Sequence, residues 1–159
     1  LFFNRREEAV VLFDNAAFRY FNAEEDLKAR GVEAELRWDW SEAWSVTANY
    51  AFTEREGDAA IRIPRHKLNT RLQYAPDARL NTWVSYRHTG TRTDTDFILF
   101  EDVTLDAFSL WDTRISYAWW ENRLRGFLGI DNIFNTEYTE ITGFQTPGRN
   151  VIMGWSLRL

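Results

Sequence analysis

The 159-residue chain has no cysteine, which excludes a disulfide framework and any thiolate metal site and suits any redox compartment. Its histidines number two, His66 and His88, and with no close third ligand a metal site is not expected. No apolar run approaches the roughly 18 residues of a membrane-crossing helix. The low mean hydropathy of -0.46 does not decide between soluble protein and membrane barrel, because every second residue of a transmembrane strand faces a polar lumen. Basic charge is also scarce. Nineteen Lys and Arg stand against 24 Asp and Glu, and a net charge of -5 with a pI near 5.1 argues against a nucleic-acid partner. No Ser, His and Asp stand at a spacing useful for acyl transfer, so neither an enzyme nor a cofactor is expected. An initiator methionine and a basic-then-apolar leader are both missing, and "LFFNRREE" reads as mid-strand, as in a piece of a longer protein.

What the chain has instead is aromatic residues, 16% of the total with eight Trp among them, set on a recurring period of two. In "NVIMGWSLRL" Val151, Met153, Trp155, Leu157 and Leu159 share one face, and Asn150, Ile152, Gly154, Ser156 and Arg158 the other. The same alternation runs through "VEAELRWDW", "WSVTANYAF", "HKLNTRLQY", "WDTRISYAWW" and "RLRGFLGIDNIF". "LNTWVSYRH" is less regular, since Trp83 falls opposite Val84 and Tyr86, and "FFNRREEAVVLF" is the weakest. Eight strands are therefore predicted, with connections alternating in length: short at 41–43, 76–79 and 121–123, long at 14–28, 54–64, 90–108 and 137–148. Such alternation puts all short turns at one end and all long loops at the other, the layout of an antiparallel outer-membrane β-barrel. Trp38, Trp40, Trp44, Tyr74 and Trp119 flank the short turns, where an interfacial aromatic belt belongs. Alternation alone fits a soluble antiparallel barrel or sandwich equally well. The loop layout, the belt and the apolar last residue favour the membrane.

"RGVEAELRWDW", "PRHKLNTRLQY", "SLWDTRISY", "GIDNIFNTEY" and "GFQTPGRNV", followed by a closing amphipathic strand, resemble in order and spacing the C-terminal strands of TonB-dependent outer-membrane receptors. The resemblance runs from about Phe18 to Leu159, and implies that residues 1–159 supply the last eight strands of a 22-stranded barrel whose plug domain lies outside this chain. It implies location in the outer membrane of a Gram-negative bacterium. The partners implied are outer-membrane lipid, the protein's own plug, the TonB complex acting through that plug, the barrel-assembly machinery and a small-molecule nutrient. Val151, Met153, Trp155, Leu157 and Leu159 would form the assembly signal, although the family most often ends in an aromatic and this chain ends in Leu159.

Substrate binding is expected in the long loops, at Arg92, Asp94, Asp96, Phe97, Phe100, Tyr138, Phe144 and Gln145. Glu33, Glu35, Arg37, Lys67, Arg71, Arg87, Asp112, Arg114 and Arg158 are expected to face the lumen and pair with plug or water, since a buried charge without a partner is costly. Asp94, Asp96, Glu101, Asp102 and Asp106 crowd one loop. Such oxygens suit calcium, but a solvated acidic loop accounts for them as well. "TGTRTDTDF", "SLWD" and "GFQTPGRN" lie nearest to cobalamin receptors, and ferric-siderophore receptors share most of that framework. The alternative function is a self-contained eight-stranded barrel with a structural or adhesive role.

Overall fold

The computed structural model describes residues 1–7, 11–14, 17–22, 27–55 and 61–158. Among them are twelve strands and no helix: β1 (Phe2–Glu7), β2 (Val11–Asp14), β3 (Arg19–Asn22), β4 (Leu27–Asp39), β5 (Trp44–Arg55), β6 (His66–Tyr74), β7 (Leu80–Thr89), β8 (Arg92–Asp96), β9 (Glu101–Leu105), β10 (Phe108–Trp119), β11 (Leu124–Asp131) and β12 (Asn150–Leu157). Eight of them form one antiparallel sheet in the order β1-β4-β5-β6-β7-β10-β11-β12, so each strand pairs with its predicted neighbour. Among the described residues no ladder joins β1 to β12, and the sheet stays open rather than closing as an eight-stranded barrel.

Register fixes the two faces, because residues directly opposite on paired strands point the same way. One row reads Trp38, Val46, Leu72, Val84, Thr113, Ile130 and Val151 across seven strands. A row on the other face reads Glu35, Asn49, Asn69, Arg87 and Leu110. The first face is apolar yet uncovered, with Leu36, Trp38, Leu72, Val84, Ile115, Leu128, Val151, Met153, Trp155 and Leu157 all exposed. A sheet that turns its greasy side outward and its charged side inward is built for lipid. The one hydroxyl in the apolar row does not stand free, since Thr113 Oγ1 donates to the Trp83 carbonyl at 2.8 Å.

Trp83 breaks the alternation because it faces the other way, among cations. The guanidinium carbons of Arg71 and Arg114 lie 4.3 and 5.8 Å from its ring centroid, and Arg114 also lies 5.2 Å from the Phe127 ring. Cation–π contacts of this kind hold lumen arginines without carboxylates. A Cβ on Gly129 would come within 3.0 Å of Arg114 Nε, and one on Gly154 within 2.6 Å of the Phe127 ring, so both glycines keep this stack in place.

Trp38–Trp40, Trp40–Trp44 and Trp44–Tyr74 ring centroids are 5.8, 5.4 and 4.5 Å apart, a continuous belt beside one short turn. That turn is closed by Ser41 Oγ, which accepts from the Ala43 and Trp44 amides, and the next by Asp77 Oδ1, which accepts from Arg79 and Leu80. The two amide bonds hold the exposed Asp77 carboxyl below its ordinary range.

The structure departs from three expectations. "FFNRREEAVVLF" is not one strand: β1 ends at Glu7, and Val11–Asp14 pairs with Arg19–Asn22 in a separate hairpin. Long connections carry structure of their own, since residues 90–107 hold the β8–β9 hairpin. Sheet strands run further into the loops than their alternation suggested, β4 starting at Leu27 and β5 ending at Arg55. Leu159, the last residue of the expected assembly signal, lies outside the described residues.

Trp155 is on the uncovered apolar face and Ser156 on the polar one. In the full-length protein, Trp155→Arg should cost about 2–4 kcal/mol and Ser156→Arg much less, measured by denaturant unfolding in lipid vesicles. Equal losses would place the register one residue off.

Candidate functional site

The long connections emerge from one end of the sheet, and three of them are knitted together by a single carboxylate. Asp94, near the start of the β8–β9 hairpin, has no exposed surface. Its Oδ1 accepts from Arg62 Nε at 2.6 Å and from the Thr95 amide at 2.9 Å, and its Oδ2 accepts from the Thr142 amide at 2.7 Å. Arg62 belongs to the connection before β6 and Thr142 to the one before β12, so one side chain bonds to three separate loops. Burial pushes the Asp94 carboxyl up, but the Thr142 amide, Arg62 and the Thr95 amide together outweigh it and hold the group below its ordinary 3.8.

Arg92, only 7% exposed, makes the second tie. Its Nη2 donates to the Thr139 and Glu140 carbonyls, and its guanidinium lies 5.3 Å from the Phe108 ring. Burial lowers its pKa, while Glu140 and Asp94 raise it. Tyr138 packs 4.6 Å from Phe108, and burial pushes its hydroxyl up. The last loop starts with the buried Asn132, whose amide donates to Asp112 Oδ1 and whose side chain bonds both the amide and the carbonyl of Thr136. Asn132 and Asn135 sit at φ of 51° and 54°, which asparagine adopts more readily than most residues.

The expected site residues therefore divide. Arg92 and Asp94 are buried in loop-to-loop bonds. Asp96 caps the hairpin tip by accepting from the Ile98 and Leu99 amides, and Asp102 accepts from Thr95 Oγ1. Phe97 and Phe100 are exposed at that tip, where Arg62 lies 5.6 Å from the Phe97 ring. Tyr138, Phe144 and Gln145 come together with Asp106, Phe108 and Glu137 around a cavity of about 830 Å³ between the hairpin and the last loop. Asp94, Asp96 and Asp102 are thus spent on separate structural bonds. Among the described residues no group of three His, Asp or Glu is placed to hold a metal ion.

On the lumen face Arg71, Arg87 and Asp112 line a smaller hollow of about 290 Å³ with Asn49, Asn69 and Ser85. Arg37 pairs with Asp39 at 3.2 Å, Arg114 lies in the aromatic stack, and Glu33, Glu35, Lys67 and Arg158 are exposed. Residues that sequence reasoning missed are Arg62, Thr142 and Asn132. Only Asn132, inside the quoted "GIDNIFNTEY", carried a local signal. His66 and His88 stand on the apolar face, where His66 Nδ1 bonds Tyr50 Oη at 2.8 Å and His88 Nδ1 bonds Ser109 Oγ at 3.0 Å.

Residues 1–133 match the family model described as TonB dependent receptor-like, beta-barrel. The chain belongs to the TonB-dependent receptors. Its uncovered face is then the lipid face of a receptor barrel and its charged face the lumen wall. The ferripyoverdine receptor of the outer membrane of Pseudomonas aeruginosa, solved with ferripyoverdine bound, superposes with a TM-score of 0.78 at 19% identity, over 97% of this chain and 24% of that one. The ferric-catecholate import receptor Fiu of E. coli, in its closed form, gives 0.75 at 16% identity, over 98% and 24%. The siderophore receptor PirA of Acinetobacter baumannii gives 0.74 at 12%, over 97% and 28%. The chain thus spans about a quarter of the length of these receptors.

Replacing Asp94 by Asn leaves Arg62 without its charged partner, and is expected to weaken closure of the three loops by about 2 kcal/mol, roughly thirtyfold in the opening equilibrium. Hydrogen exchange across residues 90–107 and 132–149 of the full-length receptor reads this directly. The lowered pKa sets the sign with pH: the stabilisation is complete above the ordinary 3.8 and is lost as pH falls through the lower folded value. Loop protection in the native receptor should hold down to about pH 4 and fail below it, and the Asn variant should show no such step.

Proposed function

We propose that the chain is the C-terminal barrel region of an outer-membrane transporter of a Gram-negative bacterium. It takes up a scarce nutrient chelate, and a ferric siderophore fits better than cobalamin. The observation that carries this is the cavity of about 830 Å³ at the loop end, walled by Phe108, Tyr138 and Phe144 with Gln145, Asp106 and Glu137. Three aromatic side chains set in a mostly polar wall, with Thr104, Asn135, Thr136, Thr139 and Thr146 among it, suit a large oxygen-rich organic chelate. The siderophore receptors of like fold support iron over cobalamin as cargo, and their names as receptors support binding and passage rather than a reaction.

In this account Phe97, Phe100, Tyr138, Phe144 and Gln145 meet the cargo, Asp96 shapes the tip that presents the two phenylalanines, and Arg92 and Asp94 hold the loops that carry all of them. The lumen charges face a plug supplied by the rest of the protein, and the TonB complex moves that plug. Val151, Met153, Trp155, Leu157 and Leu159 serve the assembly machinery. The complex of one protein of this fold with pyocin S2 supports a protein ligand as a second kind of partner.

The test is uptake by cells whose only high-affinity receptor is the full-length protein. Labelled ferric siderophore should accumulate, a protonophore should abolish accumulation, and Phe144→Ala should lower it severalfold at unchanged receptor abundance. Accumulation of labelled cobalamin, with none of iron, would return the assignment to cobalamin. Iron accumulation that is indifferent to the protonophore would contradict energised transport.

A further inference from the structure

We propose that the cargo leaves the loop-end cavity along a polar track on the lumen wall, with Tyr138 standing at its threshold. The proposal rests on the transporter reading above and adds a route through this part of the barrel. The cavity of about 830 Å³ shares Tyr138, Pro147 and Gly148 with a hollow of about 220 Å³, and that hollow shares Arg87 and Asp112 with the one of about 290 Å³ lined by Arg71. Three hollows thus abut in series.

Strand register sets where the series leads. Asp131 is the last residue of β11 and Asn150 the first of β12, and the two pair at the loop end beside the smallest hollow. From there Asp112 pairs with Ser85, Ser85 with Arg71 and Arg71 with Thr47, one row across four strands with its side chains on one face. Arg71 is the sixth of the nine residues of β6 from its loop end, and Thr47 the fourth of the twelve of β5 from its short turn. The series therefore starts where the loops begin and ends well towards the short turns.

The last loop holds the threshold in place. Asn135 Oδ1 accepts from the Arg149 amide at 2.8 Å, and a Cβ on Gly148 would come within 2.7 Å of that oxygen, so this wall leaves no room for a side chain. Tyr138 stacks 4.6 Å from Phe108, and Thr139 beside it accepts through its carbonyl from Arg92. The tie that holds the last loop is therefore also the tie that holds the threshold.

Side chains along the track suit passage rather than retention. Thr47, Asn49, Asn69 and Ser85 are neutral hydrogen-bonding groups, and Asn69 Nδ2 donates to Asn49 Oδ1 at 2.9 Å. Arg71, Arg87, Asp112 and Asp131 supply charge of both signs. A row of weak polar sites lets a solute enter each and leave it for the next. Hollows of about 220 and 290 Å³ are small for a whole ligand, so each seats one edge of a chelate that slides along the wall.

The experiment uses cells whose only high-affinity receptor is the full-length protein, and two labelled ferric siderophores of different size. Ser85, half-buried on the track, is changed to Trp or to Ala, and Ser116, on the lumen face of β10 outside the three hollows, is changed to Trp. Heat-modifiable gel migration confirms folding of each variant. Ser85→Trp should leave the Kd of both chelates unchanged and lower their uptake severalfold, the larger one more. Ser85→Ala and Ser116→Trp should carry both at the native rate. Equal loss for the two chelates would mean a jammed plug and would overturn the track. Native uptake by Ser85→Trp, or the same loss in Ser116→Trp, would overturn it too and leave the siderophore reading intact. Should only one chelate be carried, the contrast between Ser85→Trp and Ser116→Trp decides. No ferric siderophore uptake by the native protein would overturn the siderophore reading and the track with it.

Discussion

Backbone hydrogen bonding without water governs this fold. In the hydrocarbon of a membrane each N–H and C=O must find its partner in the protein, and a sheet meets that demand only by pairing every strand on both sides. Six of the eight sheet strands are paired on both sides here, leaving β1 and β12 as the edges. Antiparallel pairing follows from the connections, and from it follow two faces of opposite character, one met by lipid and one by the lumen. The aromatic belt, the Trp83 cation stack and the short capped turns are adjustments within that frame.

The loops obey a different rule, because they stand in water and lack lipid to hold them together. Their order comes from polar bonds between segments distant in sequence. Asp94 reaches Arg62 and Thr142 across 32 and 48 residues, and Arg92 reaches Thr139 across 47. A carboxylate removed from water is costly, and its full set of donors is what makes the position tolerable. The same buried bonds join the hairpin to the last loop, and the larger cavity lies between the two.

Much of this was legible in the sequence because alternation repeats on every sheet strand and is set by one face meeting an apolar medium. The order of the eight strands, their antiparallel pairing and the outward side of Trp38, Leu72, Val151 and Trp155 all followed from it. The hairpins β2–β3 and β8–β9 did not, since short exposed strands bury no face and leave no period to read. Trp83 misled because an indole paired with arginines is as much at home on the lumen wall as in lipid. In the loops, Arg92 and Asp94 are buried in bonds between loops, and composition could not tell a charge turned to a ligand from one turned to the next loop. That distinction depends on contacts 32 to 48 residues apart, which no local pattern carries.

The proposed function requires that the loop end face the outside of the cell while the short turns lie across the membrane. Cysteine is absent from this chain, so single substitutions in it report without background from these residues. Ile98 and Phe144 are exposed in two of the long connections, and Glu121 is exposed in a short turn. In the full-length receptor on intact cells, Ile98→Cys and Phe144→Cys should react with a membrane-impermeant maleimide, and Glu121→Cys should react only after the outer membrane is opened. Labelling of Glu121→Cys on intact cells, with the two loop positions protected, would contradict the account.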